Sequence, residues 1–232
     1  LLLKDGRADP AADNNYAMRY ASNRGHTGPV ALLLKDKRVD PADKGNSAIL
    51  KASSFGYTDI VSLLLKDGRA DPAADNNYAI RCASGNGHTG VVALLLKDDR
   101  VDPDDDYDSA IRRASSYGHT DIVSLLLKDG RSDPSTSDNE AIRWASFRGH
   151  TSVVALLLKD GRADPAADDN YAIRRASFRG HTSVVDLLLK DGRADPTAKV
   201  NYAIRAASRE GHTGVVDLLL KDGRADRSII DM

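Results

Sequence analysis

The string Leu-Leu-Leu-Lys-Asp starts at Leu1, Leu32, Leu63, Leu94, Leu125, Leu156, Leu187 and Leu218, a spacing of 31 residues every time. Self-similarity at a fixed period of this length is the signature of a repeat array, whose units bury their apolar faces only against their neighbours. Cutting at the Asp-Pro pair that follows gives seven full units: residues 9–39, 40–70, 71–101, 102–132, 133–163, 164–194 and 195–225. A partial unit remains at each end. Residues 1–232 are therefore expected to form a single repeat array rather than two globular domains.

Each unit reads as two helices. Asn15, Asn46, Asn77, Asp108, Asn139, Asn170 and Asn201 precede the first, where a short polar side chain is expected to cap the free N–H groups of the first turn. Gly25, Gly56, Gly87, Gly118, Gly149, Gly180 and Gly211 end it, at the place of a left-handed cap. The second helix starts after Thr27 and its equivalents and carries apolar residues at i, i+3 and i+4 spacing. Gly68, Gly130, Gly161, Gly192 and Gly223 can stop it, with Lys37 and Asp99 as departures. The following proline forbids continuation. Neither helix, at roughly two to three turns, is stable alone. The expected fold is an all-α solenoid of stacked helix-turn-helix repeats. Seven pairs at about 10 Å each would make a rod on the order of 70 Å long.

The turn Gly-His followed by Val-Val-x-Leu-Leu-Leu, cleanest at Gly87-His-Thr-Gly-Val-Val-Ala-Leu-Leu-Leu96 and also present from Ala21 to Leu34, resembles the ankyrin repeat. The resemblance recurs in all seven units. It implies an ankyrin-like solenoid and a protein-binding scaffold without catalytic activity. The departures are a period of 31 rather than 33, no Gly-x-Thr-Pro turn, and Tyr78-Ala-Ile-Arg81 or a variant where the family has Thr-Pro-Leu-His. They imply short loops in place of long hairpins. They also imply that Arg19, Arg81, Arg112, Arg143, Arg174 and Arg205 replace the bonds made by the family's threonine and histidine.

Composition narrows the function. The formal charge is −1, from 33 basic and 34 acidic residues, without the basic excess of a dedicated nucleic-acid binder. One cysteine leaves no disulfide framework and fits a reducing, cytoplasmic compartment. No apolar run approaches the roughly 20 residues of a membrane span. The absence of an initiator Met, with Leu1 opening on half a helix pair and Ser228–Met232 too short to build one, suggests a piece of a longer chain. The alternative is a structural subunit that assembles end to end through uncapped termini.

Several motifs suggest chemistry and fail on context. Gly85-Asn-Gly-His-Thr-Gly90 matches a dinucleotide fingerprint, but it joins two helices instead of a strand and a helix. Asp102–Asp108 resembles a calcium loop, yet Tyr107 and Arg113 stand where that motif needs Gly and Glu. His26, His88, His119, His150, His181 and His212 share one column, with Tyr57 in the second unit. Stacked units at about 8–10 Å keep those side chains too far apart for one metal, whose ligand atoms lie about 2 Å from it. Ser22, Ser53, Ser84, Ser115, Ser146, Ser177 and Ser208 repeat as a packing column, with none set apart as a nucleophile. No cofactor and no metal are expected.

Differences between units mark where specificity is written. Three helix-one columns vary strongly and share one face by their i, i+3 and i+4 spacing. Since cores resist volume changes, a face that takes Lys51, Gly85 and Trp144 in turn is expected to be exposed. It holds the only Trp and all three Phe, interleaved with arginine, which is the composition of binding hot spots. The expected partner-binding residues are Tyr20, Arg24, Lys51, Phe55, Arg113, Tyr117, Trp144, Phe147, Arg148, Arg175, Phe178 and Arg179. The loops before helix one carry the opposite sign in Asp13, Asp43, Asp75, Asp104, Asp105, Asp106, Asp108, Asp138, Asp168 and Asp169. That acidic rim argues against nucleic acid and for a protein partner.

Overall fold

The computed structural model describes residues 8–105 and 110–225. The cap position Asp108, the acidic loop from Asp106 onward, and the terminal segments 1–7 and 226–232 lie outside the described residues. The chain falls into two compact units, residues 1–110 and 111–232. The first holds α1 (Ala12–Asn23), α2 (Thr27–Leu33), α3 (Asp43–Ser54), α4 (Thr58–Asp67), α5 (Ala74–Gly85) and α6 (Thr89–Leu95). The helix that opens the second is α7 (Ala110–Tyr117), followed by α8 (Thr120–Asp129), α9 (Thr136–Arg148) and α10 (Thr151–Asp160). It closes with α11 (Ala167–Phe178), α12 (Thr182–Asp191), α13 (Ala198–Arg209) and α14 (Thr213–Asp222). No strand occurs among the described residues, and none of their helices is long and apolar enough to cross a membrane.

Within each unit like packs on like. In the first, α1, α3 and α5 stack in order, and α2, α4 and α6 stack beside them. In the second, α9, α11 and α13 form one row and α8, α10, α12 and α14 the other. This is the expected all-α repeat solenoid, with residues 68–73 or their equivalents as short connectors. The core draws on the same columns through the array, Ala and Ile of helix one, such as Ala141 and Ile142, against Val153, Val154 and Leu157 of helix two, with Met18 standing for Ile in the first repeat. Those apolar side chains are buried, and each Val, Ile or Leu contributes on the order of 1.5–3 kcal/mol relative to exposure.

Glycine sets the length of helix two. Gly68 adopts φ +83° and its N–H donates to the Leu64 carbonyl, closing a ten-residue α4. Where Lys37 and Asp99 replace that glycine, α2 and α6 are only seven residues long. A side chain at the left-handed cap costs roughly 1–2 kcal/mol, so the helix ends a turn earlier.

The start of helix one departs from the expected cap. Asp13, Asn14 and Asn15 all have φ of +52° to +55°, and the same left-handed triplet recurs at 44–46, 75–77, 137–139, 168–170 and 199–201. The Asn15, Asn46, Asn77, Asn139 and Asn170 amides accept backbone N–H groups of the following repeat instead. An N-cap needs an extended backbone; the left-handed one turns the amide toward the next repeat. Asn15 Oδ1 accepts the Asp40 N–H at 2.8 Å, and Asn170 Oδ1 accepts the Asp195 N–H at 2.6 Å. The Asn column therefore links repeats.

Candidate functional site

The helix-one arginines hold the left-handed triplets in place. Arg19 donates to the Asn14 and Asp13 carbonyls at 2.9 and 3.0 Å, and Arg174 does the same to Asp169 and Asp168. Arg143 adds ion pairs to Asp138 at 3.2 Å and to Asp168 of the next repeat at 2.7 Å. Arg112 pairs with Glu140. Arg205 is exposed.

The histidine column is a second inter-repeat link. His88 Nε2 donates to the Ser54 carbonyl at 3.0 Å, His150 to Ser116, His181 to Phe147 and His212 to Phe178. Each ring lies over the glycine that ends the preceding helix one; a Cβ on Gly149 would sit 2.7 Å from His181 Nδ1. Burial lowers the His150 pKa below the ordinary imidazole value, partly offset by its bond to Ser116, with Arg148 lowering it further.

A third link was not singled out in the sequence. Arg193 grips Asp191 through two bonds of 2.8 and 3.0 Å and donates to the Ala163 carbonyl of the previous repeat at 2.9 Å. Arg69, Arg100, Arg162 and Arg224 repeat the arrangement. Only the invariance of Arg after Asp-x signalled it, because its partner lies 30 residues away. These three sets of links occupy the Asn, His and Asp-x-Arg columns, which leaves the variable helix-one face for other work.

In the first unit that face holds Tyr20, Arg24, Lys51 and Phe55, all exposed. Arg24 lies 5.6 Å from the Tyr20 ring, which stacks on Tyr16 at 5.7 Å. Phe55 meets Tyr57 at 6.0 Å. Lys51 is not joined to these rings.

In the second unit the contacts are denser. Arg148 lies 5.0 Å from the Tyr117 ring of the preceding repeat and 5.9 Å from Trp144. Trp144 packs edge-on against Phe147 at 5.7 Å and Tyr171 at 6.5 Å. Arg179 covers Phe147 at 4.6 Å and lies 6.0 Å from Phe178, while Arg175 lies 5.3 Å from Tyr171. Tyr117, Arg148 and Arg179 are exposed; Arg113, Trp144, Phe147, Arg175 and Phe178 are half-buried. The face is thus graded: one column is open throughout, and two lean on neighbouring repeats. Cys82 and Ala206, in the column of Trp144, are buried.

Ser53, Ser84, Ser115, Ser146 and Ser177 are fully buried. Gly85–Gly90 runs from the end of α5 into α6, and Asp105 accepts a bond from Asn77 at 2.7 Å. Among the described residues no group of His, Cys, Asp and Glu could hold a metal ion. A family model for ankyrin repeats in three copies matches residues 113–200, and a single ankyrin repeat matches residues 44–77. No match is found among the curated proteins.

Proposed function

Because the chain belongs to the ankyrin repeat family, whose repeats are generally protein–protein interaction modules, we propose that it is a non-catalytic scaffold binding a protein partner along the helix-one face. The observation that carries this reading is the ladder of arginine and aromatic side chains in the second unit, centred on Tyr117, Trp144, Arg148, Arg175 and Arg179. Tyr, Trp and Arg dominate the binding energy of protein interfaces. Here rings and repeats already hold the guanidiniums in position, so less side-chain freedom is lost on binding. The near-zero formal charge, without a basic excess, favours a protein partner over a polyanion such as RNA. The unbroken 31-residue lattice supports reading residues 1–232 as one array, and the single free cysteine supports a reducing, cytoplasmic setting. End-to-end assembly would rest on terminal segments outside the described residues.

Photocrosslinking tests the face. A crosslinking amino acid at Arg148 or Arg179 should trap the partner from the native source, identified by mass spectrometry. At Lys159 or Lys190, exposed on helix two, it should trap much less of it. Equal trapping from both faces, or trapping only from helix two, would move the site elsewhere.

A further inference from the structure

Arg148 and Arg179 occupy the same column in successive repeats, and neither meets a carboxylate among the described residues. Arg148 donates one N–H to the Ser116 carbonyl at 2.9 Å and otherwise faces rings; Arg179 has ring contacts alone. One turn before Arg179, Arg175 lies over Tyr171 with its buried Nε unpartnered. The contrast with Arg162 and Arg193 is sharp, since each of these spends two donors on an aspartate and a third on a carbonyl. A guanidinium carries five N–H donors in a planar fork matched to a carboxylate. A ring engages the cation through its face and uses none of the fork's N–H donors.

We propose that this strip binds an extended, acidic protein segment whose carboxylates recur at every third residue. The inference rests on the helix-one face being the binding surface. Helices in successive repeats pack about 8–10 Å apart. A polyproline II chain rises about 3.1 Å per residue with three residues per turn, so three residues span one repeat and return the side chain to the same face. Carboxylates at i and i+3 then meet Arg148 and Arg179 in turn, each through charge-assisted and bidentate bonds.

The chain has one tryptophan, Trp144, with Arg148 5.9 Å from its ring, so its emission reports on the strip without a label. The probe is a short unstructured peptide with glutamate at every third position. Titrated into the full chain, it should change Trp144 emission saturably. Arg148→Gln and Arg179→Gln should each weaken binding about tenfold, the loss of a charge-assisted bond. Arg148→Lys and Arg179→Lys, which keep charge and lose the fork, should weaken it less. A peptide of the same composition with its glutamates consecutive should bind more weakly, and oligouridylate more weakly still. No saturable change with the spaced peptide overturns the proposal; so does equal binding of the clustered peptide, or tighter binding of oligouridylate. Should a variant lose its circular dichroism, the comparison of peptides on the unaltered chain still decides. If the peptide fails while a crosslinker at Arg179 traps a partner, the acidic segment falls and the binding face stands. Failure of both removes the face as well.

Discussion

Val200 adopts φ +58° and is 73% exposed, at a position where sister repeats carry Asn14, Gly45, Asn76, Asp138 and Asp169. Asn and Asp tolerate the left-handed region through local bonds, and glycine has no Cβ to clash, whereas a β-branched side chain is strained there. Val200→Asn should therefore raise stability by about 1 kcal/mol, read as a higher melting temperature. An unchanged or lower value would count against the left-handed turn. Gly149 and Gly161 make a second residue-level comparison. Both have positive φ, yet a Cβ at Gly161 meets nothing, whereas at Gly149 it collides with His181. Gly161→Ala should cost about 1 kcal/mol, and Gly149→Ala about 2–3 because the His181 bond to Phe147 is lost as well. Chemical denaturation of the two variants gives the difference directly. The glycines were legible in the sequence as helix stops. The Asn column was legible as special but not in its role, because Asp/Asn before a helix reads as a cap until the sign of φ is known.

At the scale of elements, the Asp-x-Arg clamp ties one helix pair to the next. Arg193 reaches the Ala163 carbonyl, but Arg38 in the first repeat meets only its own Asp36 among the described residues. Exposed ion pairs contribute little. The part-buried carbonyl bond is worth about 1 kcal/mol. Arg193→Ala should thus lower stability by roughly that amount, and Arg38→Ala by less. Equal losses in urea unfolding would show that the clamp acts only within its own repeat. The ends of the helices were readable from glycine and proline, and Lys37 and Asp99 stood out as departures, though not the shortening of α2 and α6 they bring. The clamp was not, since a bond between residues 30 apart leaves no local pattern beyond a repeated arginine.

Across the whole molecule the clamps share a pH dependence. Arginine hydrogen bonds hold Asp67, Asp98, Asp129, Asp160, Asp191 and Asp222 below the ordinary carboxylate range, and Asp36 down to about 2. These groups bind protons less readily folded than unfolded. Their contribution is complete above the ordinary value of 3.8 and is lost as pH falls through the lowered values. His150, also less basic when folded, adds a smaller loss as pH drops below 6.5. Urea midpoints should fall slightly below neutrality and steeply below about pH 4; a profile flat to pH 2.5 would contradict the clamps. Net charge near zero gave no hint of a basic strip beside an acidic rim; that expectation came only from comparing columns between repeats. The same comparison located the variable face, though not that Trp144 and Phe147 are half-buried against their neighbours.

On the proposed function, the arginines that lie over rings in the second unit carry partner binding while contributing little to the fold. Isothermal titration of the isolated partner into the chain and into an Arg148→Ala, Arg179→Ala double variant tests it, with melting temperatures measured alongside. The predicted result is a loss of about 2 kcal/mol or more in affinity, with the melting temperature nearly unchanged. Unchanged affinity, or a collapse of the fold with binding lost only in proportion, would contradict it.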